Sequence, residues 1–196
     1  PSHHGILDMV LLSKVPGMTV FAPSSYQDLQ VMLADAIDLD GPVAIRWPKT
    51  EARNVPEHEV GVGRRGRKLR DGSDVCILAV GKMVAAALDA ATSLEADGIS
   101  TSVWDARCVA PLDGEMLDDA AGHPAVLTAE DGLIDGGAGE SMLRHLLDRD
   151  PGLSSRVKVL GVPKRYLPHG KVDDILAELG LDADGLASSA RGLTTD

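Results

Sequence analysis

Six consecutive apolar residues, Val75-Cys76-Ile77-Leu78-Ala79-Val80, run into Gly81 and then into a helical pattern at residues 83–96 that Gly98 stops. A strand without polar alternation has both faces buried. A helix directly behind such a strand points to a parallel sheet covered by helices on both sides. The same rhythm continues downstream. Strands are expected at 100–104, 125–129 and 157–162, with helices at 139–147 and 172–179 and a short one between Asp113 and Gly122. Residues 71–196 therefore read as one α/β domain, closing over 182–196 in a further helical turn and a polar tail.

Residues 1–50 carry an incomplete copy of the same alternation. A short apolar helix at 6–12 precedes a buried-type strand at 18–22. Ser24 or Ser25 can cap the next helix, at 26–39, which puts Leu29, Met32, Leu33, Ala36 and Ile37 on one face. A strand at 43–47 ends at Pro48. Strand, helix and strand joined by short loops predict parallel pairing with a right-handed crossover. Residues 51–70 read as a linker followed by an exposed edge strand. The expected fold class is thus α/β: the C-terminal part of one α/β domain, then a second domain with a mostly parallel sheet and helices on both faces.

Charge narrows the partners. The net charge is −11 and aromatic residues make up 3%. Neither nucleic acid nor an anionic membrane is expected as the main partner. No apolar run approaches the ~20 residues that span a bilayer. The two cysteines, Cys76 and Cys108, sit in apolar stretches without metal-type spacing, which suggests a reduced, cytoplasmic compartment. The chain starts with Pro rather than Met, inside the motif Pro1-Ser2-His3-His4-Gly5. The expectation is a piece of a larger enzyme.

Several residues carry candidate chemistry. His3 and His4 are either solvated loop or tag-like residues, or imidazoles placed to donate a hydrogen bond and move a proton. Arg46 ends an apolar strand, where a charge is costly unless paired or facing a ligand. Strand ends in open α/β sheets are where ligands bind, and a guanidinium fork fits phosphate or carboxylate. A salt bridge to a nearby carboxylate is the alternative. Asp135-Gly136-Gly137-Ala138-Gly139-Glu140 precedes a helix but matches no phosphate loop, so it reads as a tight turn that lets the helix approach the sheet. The basic run at 64–70 reads as a charge-protected edge strand. Glu130-Asp131 reads as a capping or interface pair, and His169 as a loop histidine. No metal ligand set is expected.

Taken together, the motifs resemble a known family. Pro1-Ser2-His3-His4-Gly5, Val15-Pro16-Gly17-Met18, Ala22-Pro23-Ser24 and Gly41-Pro42-Val43-Ala44-Ile45-Arg46-Trp47-Pro48-Lys49 follow in order. Behind them come the run from Asp105 to Asp113, Ala129-Glu130-Asp131, Gly136-Gly137-Ala138-Gly139 and Pro168-His169-Gly170. This order resembles transketolase-like, thiamine-diphosphate-dependent enzymes, from the end of their pyrimidine-binding domain through their C-terminal domain. Arg46-Trp47-Pro48-Lys49 favours the branch that condenses pyruvate with D-glyceraldehyde 3-phosphate, releasing CO2, in non-mevalonate isoprenoid biosynthesis. The resemblance implies thiamine diphosphate and Mg2+ as cofactors and a homodimer as the assembly. It implies a catalytic and substrate-binding role for His3, rather than His4, and a phosphate-binding role for Arg46. The family's cofactor-activating glutamate and its metal-diphosphate segment have no counterpart here, so no cofactor-binding residue is expected in this chain, which alone should be inactive. Two rivals stay open: another enzyme of the family (a transketolase or the β subunit of a 2-oxo acid dehydrogenase), and a non-catalytic dimerisation module of that fold.

Overall fold

The computed structural model describes residues 5–49 and 52–194. A 3-10 turn, Gly5–Leu7, leads into helix α1 (Asp8–Leu12). Strand β1 (Thr19–Phe21), helix α2 (Tyr26–Asp38) and strand β2 (Val43–Ile45) follow. Strands β3 (Arg67–Arg70) and β4 (Val75–Ala79), helix α3 (Met83–Ala96), and strands β5 (Thr101–Asp105) and β6 (Cys108–Ala110) come next. The chain closes with α4 (Gly114–Ala121), β7 (Ala125–Leu133), α5 (Ala138–Arg149), β8 (Val157–Val162), α6 (Val172–Glu178) and α7 (Ala183–Thr194).

The strands form two sheets. The larger has the order β3-β5-β4-β7-β8, parallel except for β3, which runs antiparallel along one edge. The apolar run of β4 lies in its centre, and its side chains alternate between the two faces. Val75, Ile77 and Ala79 pack with α3 and α7, whereas Cys76 and Leu78 pack with α4 and α5. The expected two-sided coverage is therefore observed. The smaller sheet, β2-β1-β6, pairs β1 parallel to β2 and antiparallel to β6. It joins strands from the first fifty residues to one contributed from beyond residue 100. The Ser25 hydroxyl caps α2 by accepting from the Asp28 N–H at 3.0 Å.

Three details differ from the sequence reading. Residues 183–194 form a full helix, α7, not a single turn and a tail. Its apolar stripe is short, Leu186, Ala187 and Ala190, and is flanked by serines and glycines that hide the period, yet it seals one face of the sheet against α3. The strand β6 went unseen because three residues carry no readable alternation. On α2 only Met32 of the apolar face is buried, while Leu33 and Ile37 are 57% and 80% exposed.

The basic run supplies the edge strand β3, and two of that strand's charges are paired within the chain. Lys68 Nζ lies 3.0 Å from Asp71 and 3.1 Å from Asp119, and Arg70 pairs with Glu95. Among the described residues, no helix is long and apolar enough to cross a membrane.

Candidate functional site

Arg46 follows the last residue of β2, where its N–H donates to the Phe21 carbonyl of β1 at 2.9 Å. That bond orients the strand end, and the guanidinium reaches across to β7. Its Nη1 pairs with the Asp131 carboxylate, and its Nη2 lies 3.4 Å from the Asp131 carbonyl. Both side chains are largely withdrawn from water, at 15% and 12% exposed. The salt bridge weighed for Arg46 thus exists, but its partner comes from the distant strand β7.

Arg46 and Asp131 open onto a cavity of about 290 Å³. Gly5 and Ile6 form one side of it, and the loop carrying His169 together with α6 forms another. Its wall is mainly aliphatic, which suits a small ligand held by a few convergent polar groups. His3 lies outside the described residues.

The residue before Asp131 explains the glycine-rich turn. Glu130 is buried at 1% exposure. Its Oε1 accepts from the Gly139 N–H at 2.7 Å and its Oε2 from the Ala138 N–H at 3.2 Å, so it caps the start of α5. Side chains at Gly137 or Gly139 would intrude here: a Cβ on Gly137 would sit 2.5 Å from Glu130 Oε1, and one on Gly139 2.5 Å from Thr128 Oγ1. The turn therefore cradles a carboxylate of its own chain. An incoming diphosphate would meet that carboxylate at the helix N-terminus and be repelled. The glycine-rich turn therefore does not fit a diphosphate.

Burial pushes the Glu130 carboxyl up from the ordinary 4.5 to about 7, against the two backbone N–H bonds that favour its charge. The unfolded glutamate loses its proton near 4.5 and the folded one near 7, so stability attributable to Glu130 falls as pH rises across that window. Glu130→Gln is expected to flatten this part of the curve in denaturant unfolding at pH 4.5 and pH 7. A slope identical to that of the parent chain would refute the assignment.

A second polar cluster centres on the buried Arg107. The Arg107 Nε donates to Asp28 Oδ1 at 3.1 Å, and its Nη1 donates to the Gly63 and Arg65 carbonyls, each at 2.9 Å. Asp105 accepts from the Ser24 hydroxyl and from the Arg107 N–H, and burial lifts its carboxyl to about 7. Residue patterns gave no sign of the pairing between these two segments, because Asp28 and Arg107 lie 79 residues apart. Cys76, Asp119 and His123 also converge. Their polar atoms are committed elsewhere: Asp119 to Lys68 and to Trp104 Nε1, and His123 to Ser102 and the Asp119 carbonyl. Burial also keeps the Cys76 thiol protonated.

Comparison with known proteins gives the family of the chain. Residues 64–186 match the family model described as transketolase, C-terminal domain, and residues 1–55 match transketolase, pyrimidine binding domain. The chain belongs to the transketolase family. Among curated members it is 42% identical, over 98% of its length, to the 1-deoxy-D-xylulose-5-phosphate synthase of Magnetococcus marinus, and 40% identical, over 96%, to 1-deoxy-D-xylulose-5-phosphate synthase 1 of Geobacter sulfurreducens. This transketolase-family chain spans 31% and 30% of those two proteins. A solved structure described as a split gene transketolase, inactive beta4 tetramer, superposes with a TM-score of 0.87 at 31% identity. That match covers 99% of the present chain and 63% of the other.

Proposed function

We propose that this chain is part of a 1-deoxy-D-xylulose-5-phosphate synthase, a thiamine-diphosphate-dependent transferase that condenses pyruvate with D-glyceraldehyde 3-phosphate and releases CO2. The observation that carries the proposal is Arg46. It stands at the carboxyl end of a parallel strand, oriented by Asp131, on the wall of a cavity of about 290 Å³. A guanidinium there can bind the acceptor's phosphate through charge-assisted hydrogen bonds. The identity to synthases over nearly the whole chain supports this branch of the family.

The cofactor and its Mg2+ would be held by residues of the longer protein, as would most of the donor site. This chain's part is to bind the acceptor end of the reaction. Leu33 and Ile37 on α2, and Leu11 on α1, are exposed apolar residues that the rest of such a protein, or a second subunit of a homodimer, would cover. Residues 51–70 serve as the linker and edge strand between its two parts.

His3 is assigned the proton-transfer and hydrogen-bonding role toward the acceptor aldehyde. His3→Ala in the full-length enzyme is expected to lower kcat by about 100-fold or more, the usual range for a lost general acid–base group. Steady-state kinetics with both substrates checks this. An unaltered kcat would reduce His3 to a loop residue.

A further inference from the structure

We propose that the C-terminal half of the chain completes the acceptor's phosphate pocket, with Asp131 as a positioning residue for Arg46 and His169 as the second donor to the anion. The inference rests on the reading of Arg46 as the phosphate ligand.

Three observations carry it. First, Arg46 lies beyond a strand of only three residues, and nothing in β2 itself fixes a long guanidinium chain. Asp131 does so with two acceptors, its carboxylate and its own carbonyl, which together set the plane of the fork. Second, Asp131 is anchored from both sides. β7 pairs with β4 and β8 as far as Ala129 and pairs with β8 again at Leu133, so the irregular stretch that carries Asp131 is tied at each end, and the adjacent Glu130 is pinned to the start of α5. A ligand-binding group held from such an element keeps its geometry.

Third, the charges do not suffice as they stand. Asp131 cancels the charge of Arg46, and a phosphate dianion entering that neutral pair needs another donor. Apart from Arg46 and Asp131, His169 supplies the only polar side chain among the described residues of the cavity wall. The remaining side chains there are apolar, including Ile6, Val162 and Ile175, so His169 has no rival donor besides Arg46 among the described residues of that wall. His169 is exposed on its loop, so its replacement does not threaten the core.

The test is steady-state kinetics of the full-length enzyme, with D-glyceraldehyde 3-phosphate and unphosphorylated D-glyceraldehyde as alternative acceptors. Asp131→Asn and His169→Ala are each expected to raise the KM for the phosphorylated acceptor about tenfold, the effect of one weakened charged hydrogen bond. The KM for unphosphorylated glyceraldehyde should move much less. Asp131→Glu, which keeps the carboxylate, should recover most of the loss. A KM for the phosphorylated acceptor that is unchanged or lower in Asp131→Asn, while Arg46→Ala raises it, overturns the positioning role and leaves the phosphate reading standing. An unchanged value in His169→Ala removes His169 from the pocket. If Arg46→Ala itself leaves that KM unaltered, the phosphate reading fails, and the inference with it.

Discussion

Arg107→Ala is expected to destabilise the chain by about 3–5 kcal/mol, the cost of leaving one member of a buried ion pair without its partner. Arg107 is fully buried and Asp28 nearly so. The guanidinium also satisfies two carbonyls, Gly63 and Arg65, in the segment that links the two halves. Its backbone lies in the left-handed region, with φ 55°, and its carbonyl accepts from the Ala22 N–H at 2.7 Å. Gly61 is shaped to this packing, since a Cβ there would lie 2.3 Å from Arg107 Nε. Removing the side chain leaves the buried Asp28 carboxylate without its cation, held by the Ser24 and Ser25 hydroxyls and the Gly61 N–H. The double variant Arg107→Ala with Asp28→Ala should therefore cost less than the sum of the two single changes. Urea unfolding of the three variants measures both quantities. A loss under about 1 kcal/mol for Arg107→Ala, the level of an exposed pair, would show that this cluster does not hold the halves together.

The second large effect is functional. Arg46→Ala in the full-length enzyme should raise the KM for D-glyceraldehyde 3-phosphate by roughly 10–150-fold, corresponding to ~1.5–3 kcal/mol for a lost charge-assisted hydrogen bond. The KM for pyruvate should change far less, because pyruvate carries no phosphate for the guanidinium to hold. The change also leaves Asp131 without its cation in a largely buried place, so a moderate loss of stability should accompany it. Thermal unfolding of the same variant separates the two contributions. Equal effects on both substrates would mean that Arg46 acts on the fold of the site and not on the phosphate.

The main architecture was legible in the residues because the signals were local. The unbroken apolar run of β4, the stop glycine after α3 and the Asp113 cap of α4 each depend on neighbours within a few positions. The glycine-rich turn was read correctly as a close approach of helix to sheet, but the group that fills it, Glu130, became visible only when Gly137 and Gly139 were seen wrapped around its carboxylate. For Arg46 the sequence posed the right choice, ion pair or ligand, and could not name Asp131, which lies 85 residues away. The same limit applies to Asp28 with Arg107, 79 residues apart. Long-range polar pairs leave no periodicity. The short stripe of α7 failed for another reason: alanine and glycine blur the contrast between a buried face and a solvated one.

The most direct test of the central claim is product analysis of the purified full-length enzyme, supplied with pyruvate, D-glyceraldehyde 3-phosphate, thiamine diphosphate and Mg2+. Release of CO2 together with 1-deoxy-D-xylulose 5-phosphate in equal amounts is expected. Transfer of a two-carbon unit from a ketose phosphate donor, with pyruvate left unconsumed, would contradict it and assign the chain to a transketolase.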